Sequence, residues 1–191
     1  MVAPISLLVF MGVPGSGKSF LGTCLFNSDR YGQIISTDRI RGELFGSPEI
    51  QGCWTQIWQR VEQELRVGIT QVHAGQQMGV VYDATNVSRS QRKSLLVRCR
   101  RLGFSQITGI QLTMPLWVCL ERNGLRSRTV PEPVIERMYR QLRGGPPSLG
   151  DGFDRLIIGI GGPQGGLVEV KNVVCSGNVE SSGSGVDAWN D

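Results

Sequence analysis

Short apolar runs alternate along the chain with longer amphipathic stretches, and the two follow different periods. Residues 5–11 are apolar apart from Ser6 and end in a glycine cluster, the pattern of a strand buried on both faces of a parallel sheet. They are read as its central strand. Residues 33–37 and 79–82 repeat the form at shorter length, each followed by an aspartate, Asp38 or Asp83. Residues 107–114 and 153–158 complete five predicted strands. Between them, Trp54, Ile57, Trp58, Val61, Leu65, Ile69 and Val72 recur at helical spacing on one face, so both tryptophans are read as core rather than as a base-stacking platform. Further helices are predicted over residues 17–27, 88–102, 115–123 and 131–142. Strands alternating with helices predict a three-layer α/β domain whose mainly parallel sheet binds ligands beyond the carboxyl ends of its strands. Asp38 and Asp83 fall at such ends. After residue 158 the chain turns to Gly, Ser, Asn and Val, so residues 1–158 are read as the domain. Residues 159–191 are read as a flexible tail with one weak strand at 166–170.

The glycine cluster itself carries chemistry. Gly12-Val13-Pro14-Gly15-Ser16-Gly17-Lys18-Ser19 fits G-x-x-x-x-G-K-[ST], directly after a predicted buried strand and before a predicted helix. Glycines let the backbone wrap phosphates, and the N–H groups with the helix N-terminus supply positive partial charge. Gly12, Pro14, Gly15, Ser16 and Gly17 thus form a nucleotide cradle, Lys18 reaches the β- and γ-phosphates of ATP, and Ser19 ligates Mg2+. In Asp38-Arg39-Ile40-Arg41, Asp38 can accept the proton of an attacking hydroxyl, while Arg41, one helical turn on, can hold an acceptor phosphate. Helix capping by Asp38, with Arg41 paired to Glu43, is the plainer alternative. Asp83 opens Asp83-Ala84-Thr85-Asn86, which suits either a magnesium-organising acid or a turn and N-cap before the next helix. Arg122, Arg126 and Arg128 surround Gly124 ahead of Pro131, the composition of a mobile lid over a triphosphate or of a solvated basic loop.

Charge sharpens this picture. The net charge is +4, yet residues 159–191 hold one lysine against four carboxylates, a local −3 that leaves +7 on residues 1–158. The excess is mostly arginine, clustered at 89–101 and 122–143, and guanidinium forks match phosphate oxygens. Five dispersed cysteines without a C-x-x-C pair fit neither a zinc ribbon nor a disulfide framework, and are read as reduced and mostly core. His73 is the single histidine, read as a helix-end residue. No apolar run approaches the roughly 20 residues of a membrane span, and the first residues lack the basic region of a secretory signal. A cytoplasmic location is expected.

Taken together, the glycine-rich loop, Asp38-x-x-Arg41, Asp83-Ala84-Thr85-Asn86 and Arg122-Asn123-x-x-Arg126, running into Val130-Pro131-x-x-Val134-Ile135-x-Arg137-Met138, resemble the kinase domain of the phage and bacterial polynucleotide kinases over residues 5–158. Asp151-Gly152-Phe153-Asp154 is similar to the E-G-F-D turn before the last strand of such kinases. The resemblance implies a P-loop NTPase fold with a five-stranded parallel sheet and an arginine-bearing helical lid. It implies transfer of the ATP γ-phosphate, with Mg2+, to the 5′-hydroxyl end of a nucleic acid. Asp38 would then be the general base and Arg41 the holder of the phosphate next to that end. Arg126 would bind donor phosphates in the transition state, with Arg122 beside it, and Asp83 and Asn86 would support the acceptor. Some members assemble, so a homo-oligomer is among the states the resemblance allows. Two other readings use the same loop: a kinase of a small hydroxyl-bearing metabolite, and a nucleotide-gated binding module.

Overall fold

β1 (Ser6–Met11) lies in the middle of the sheet because both of its faces are apolar. The computed structural model describes residues 4–27, 32–126, 128–161, 167–174 and 179–180. After β1 follow α1 (Lys18–Asn27), β2 (Gln33–Ser36), α2 (Thr37–Phe45), α3 (Trp54–His73), β3 (Gly79–Asp83), α4 (Arg89–Leu102) and β4 (Gln106–Thr113). Then come α5 (Leu116–Gly124), α6 (Glu132–Gly144), β5 (Arg155–Gly161), β6 (Leu167–Val174) and the two-residue β7 (Val179–Glu180). The sheet order is β2-β3-β1-β4-β5-β6-β7, parallel from β2 to β5 and antiparallel thereafter.

Alternation along β1 divides the core. Leu7, Val9 and Met11 pack with Ile57, Val61 and Leu65 of α3 and with Leu95, Leu96 and Cys99 of α4. Leu8 and Phe10 point the other way, into a smaller cluster closed by Leu21 and Leu25 of α1. A third cluster, with Val13, Val87, Met114, Cys119 and Ile135, joins α5 and α6 to the strand ends. The predicted P-loop architecture is therefore present, and among the described residues no helix is long and apolar enough to cross a membrane.

Two elements differ from expectation. Residue 37 does not belong to a strand: β2 stops at Ser36, whose hydroxyl accepts from the Arg39 backbone N–H at 3.4 Å and caps α2, of which the sequence pattern showed only the turn from Asp38 to Arg41. Asp38 therefore sits in a first helical turn without being the cap. The boundary expected at 158 falls inside β5, which continues to Gly161 and pairs with β6 from Arg155↔Val174 onward. Val173 of β6, opposite Leu156, packs on the core, so the weak strand expected at 166–170 is a full strand over 167–174 and not part of a loose tail. Most of the remaining tail lies outside the described residues. Cys99 and Cys119 are buried as expected, but Cys53 is exposed; those two, Cys24 and Cys53 are free, and Cys175 lies outside the described residues. His73 ends α3.

The loops beyond the sheet are pinned by buried charge. Arg92 of α4 donates to Asp151 Oδ2 at 3.0 Å, to the Asn86 and Val87 carbonyls at 3.1 and 3.0 Å, and to the Gly145 carbonyl at 2.7 Å. One side chain thus ties the end of α6 to the loop after β3. Burial pushes the Asp151 carboxyl up, and hydrogen bonds from Arg89 and Arg92 more than reverse this, holding it below the usual carboxylate range. Its stabilisation is present above the unfolded value of about 4 and is lost as pH falls through the lower folded one. Replacing Arg92 by Met strips Asp151 of a fully buried partner and is expected to lower unfolding free energy by about 3–5 kcal/mol, read by urea denaturation at neutral pH.

Candidate active site at the carboxyl edge of the sheet

The loop between β1 and α1 is shaped by close approach. Gly15, at φ +81, lies against the backbone of α5, where any Cβ would strike the Cys119 carbonyl. Gly12, at φ +151, leaves no room for a side chain beside Ser16 Oγ, and its N–H donates to the Thr85 carbonyl at 3.0 Å. Inside this wrap Lys18 is 8% exposed, and its Nζ donates to the Val13 carbonyl at 2.8 Å and to Ser16 Oγ at 3.3 Å. Burial lowers its pKa to about 8, with the nearby Asp83 charge opposing the shift. Asp83 is itself pushed up by burial and pulled back in part by Lys18.

Asp83 and Ser19 form an oxygen pair. Ser19 Oγ donates to Asp83 Oδ2 at 3.5 Å, across the gap between the end of β3 and the start of α1. A hydroxyl and one carboxylate, with room for phosphate oxygens and water, are the hard-oxygen donors that magnesium takes in nucleotide sites. These residues fit the ion. Among the described residues no group of three or more His, Cys, Asp or Glu side chains could hold a metal by itself.

Asp38 reaches the same edge from the neighbouring strand. In the parallel register Ser36 lies opposite Asp83, so the first turn of α2 emerges beside the end of β3. Asp38 is half-exposed, and its two oxygens accept from Arg41 Nη1 at 2.9 Å and from Arg128 Nη1 at 3.4 Å. Arg41 therefore pairs with Asp38, while Glu43 is taken by Arg39. Arg128 also donates to the Pro48 carbonyl at 3.0 Å, which ties the segment after α5 to the loop after α2. The sequence placed Arg128 in the lid but gave it no role at the site, since its partner Asp38 lies 90 residues away. Arg122 stands beside the loop, its Nη1 4.0 Å from where a Gly17 Cβ would be. Arg126 is exposed, and its charge lowers the pKa of both Lys18 and Asp83.

These groups line one cleft of about 1050 Å³. Asn86, read as substrate-facing, is among the lining residues, and at φ +48 its Nδ2 donates to the Phe10 carbonyl at 2.7 Å, bracing β3 against β1 below the loop. The cap of α4 is Ser88, so Asp83 is not spent on capping. Trp58 is core at 8% exposure, but Trp54 is 52% exposed and lines the cleft, contrary to the reading of both tryptophans as core. The first turn of α3 projects past the sheet edge, which helical spacing alone could not reveal.

The family model described as an AAA domain matches residues 7–144, and the chain belongs to that family. Its fold is the α/β P-loop kinase fold. L-seryl-tRNA(Sec) kinase of Methanococcus maripaludis is 25% identical over 142 residues, 71% of this chain and 52% of that protein. A chain of the Pnkp1/Rnl/Hen1 RNA repair complex superposes with a TM-score of 0.58 at 16% identity, over 75% of this chain and 46% of that one. The AvrRxo1-ORF1:-ORF2 complex with ATP gives a TM-score of 0.60 at 17% identity, over 94% of this chain and 61% of that one. The structural likenesses show the fold, and the chain spans about half of the curated relative's length.

The buried ammonium makes nucleotide affinity depend on pH. A bound triphosphate favours the charged form of Lys18, so affinity is full below the free-protein value of about 8 and falls above it. The dissociation constant for ATP is expected to rise about tenfold per pH unit beyond that point, by titration calorimetry, and Lys18→Met should abolish the slope as well as most of the binding.

Proposed function

We propose that this protein is an ATP- and magnesium-dependent kinase that transfers the γ-phosphate to the 5′-hydroxyl end of a polynucleotide. The observation that carries the reading is the charge of the cleft. Eight cationic side chains line it against two carboxylates, Asp38 and Asp83. Arg39 is neutralised by Glu43 and Glu64 and Arg128 also pairs with Glu49, which leaves an excess of four. A magnesium-bound nucleoside triphosphate supplies only about two negative charges. An acceptor that brings several phosphates of its own matches the remainder, and a neutral hydroxyl metabolite does not.

The residues divide the reaction between them. Asp38, on the acceptor side, takes the proton of the 5′-hydroxyl as its oxygen forms a bond to the γ-phosphorus and the bond to the β,γ-bridging oxygen breaks, releasing ADP. Arg41, one turn on, holds the acceptor's first phosphate once it exchanges Asp38 for that ligand. Lys18 and Arg126 offset charge on the transferring group and on the leaving diphosphate. Magnesium, held by Ser19 and Asp83, would neutralise phosphate charge and align the donor. The wrap of the lid segment toward Asp38 through Arg128 keeps water from replacing the acceptor.

A second reading keeps the mechanism and changes the acceptor. The 25% identity to an L-seryl-tRNA(Sec) kinase favours a hydroxyl carried on an RNA rather than at its 5′ end. Transfer of labelled γ-phosphate to 5′-hydroxyl DNA, 5′-hydroxyl RNA and serylated tRNA separates the two. Label is expected on the 5′ ends, reduced about 10²–10⁴-fold in Asp38→Asn and lost in Lys18→Met. Label confined to serylated tRNA, or on no nucleic acid, overturns the proposal.

A further inference from the structure

We infer that the cleft wall leading away from the phosphate-binding loop is the track of the acceptor strand, where Trp54 stacks a base and Arg98 and Arg137 take backbone phosphates beyond the first. This rests on the polynucleotide reading above. The wall is built by helix periodicity. Gln91, Ser94, Leu95 and Arg98 recur at one-turn spacing on α4, and all four line the cleft, so a whole helical face and not an isolated side chain fronts it. That face carries no carboxylate.

Arg98 is held without being neutralised. Its guanidinium carbon stands 4.9 Å from the centroid of the Trp58 ring, and among the described residues it has no carboxylate partner. Stacking fixes the plane of the fork while its N–H donors stay open, the state in which arginine binds phosphate at least entropic cost. Arg39 of the same cleft, and elsewhere Arg60, Arg66, Arg89, Arg92 and Arg100, are each paired with acids. Arg137 of α6, also exposed and also lacking a carboxylate partner among the described residues, lines the same cleft.

Trp54 supplies the complementary group. It lies one helical turn before Trp58 on the same face of α3, yet half of it is in solvent. Ile57, Trp58, Val61 and Leu65 already complete that helix's contact with the core, so packing does not require an indole at 54. Its place relative to Asp38 is fixed, because Glu43 and Glu64 bind both Arg39 and Arg60 and lock α2 onto α3. A flat aromatic beside separated, unneutralised arginines is what a single strand needs, since bases stack on the one and phosphates meet the others.

The test compares wild type with Trp54→Ala, Trp54→Phe and the double variant Arg98→Ala/Arg137→Ala, using 5′-hydroxyl DNA and RNA ten-mers. Trp54→Ala is expected to raise KM for the ten-mer on the order of tenfold, and Trp54→Phe, which keeps a ring, to restore it to within about threefold. In the double variant the slope of log affinity against log salt, read by fluorescence anisotropy, should become shallower by about 1.4. KM for ATP should stay within about twofold throughout. Ten-mers labelled by all variants with unchanged KM and an unchanged salt slope overturn this assignment and leave the kinase reading standing. Ten-mers that wild type itself does not label overturn the kinase reading first, a result of a different kind.

Discussion

The parallel pairing of β3 with β1 on one side and β2 on the other is the constraint on which the site depends. Parallel strands in register deliver their carboxyl ends to one edge, so the loop after β1, Asp83 at the end of β3 and Asp38 just after β2 meet although 71 residues separate the first from the last. Ser36 opposite Asp83 sets the spacing between the two acids. A slip of one residue in that register would turn Ile35 away from the core and carry Asp38 off the cleft at once.

Burial and charge work against each other at this edge, and the balance suits a protein that must bind phosphate. Lys18 is kept under its own loop by a backbone carbonyl and a hydroxyl, neutral partners that cost little to exchange. Arg41 rests on a half-exposed carboxylate, where an ion pair contributes modestly because water screens it. Two arginines have strong, buried partners: Arg92 on Asp151 holds the frame and has no free face, and Arg39, at the cleft, is held on Glu64. Arg41 and Arg128 share the half-exposed Asp38, a weak partner that a phosphate can replace.

Much of this was legible in the linear pattern. The five parallel strands, the helical face of α3 and the glycine-rich loop followed from period, length and turn chemistry, because each depends on residues within a few positions of one another. The loop's residues, Asp38, Arg41 and Asp83 were picked out for the same reason, and Lys18, Asp38, Arg41 and Asp83 line one cleft. What was missed depended on distance. Only the first turn of α2 was read, from Asp38 to Arg41, because nine residues of mixed polarity carry no clear helical face, and β6 was read as a weak strand at 166–170 because a glycine-rich surround obscured the alternation that pairs with β5 over 167–174. The brace from Asn86 to β1 and the pairing of Arg128 with Asp38 went unread, because nothing local points from either residue to its partner.

By itself the sequence determined the class of chemistry: a backbone that wraps phosphates requires glycines at fixed spacing, a lysine to follow them and acids at strand ends, and all of these are local requirements. Tertiary structure alone decided how those groups are used. It buried Lys18 beside Asp83, set Arg128 on Asp38, made Asn86 a brace and left Trp54 half in solvent on the cleft that Arg98 also lines. Burial, pairing and exposure are properties of the space between elements, and the order of residues along a chain does not contain them until the strands have been laid side by side.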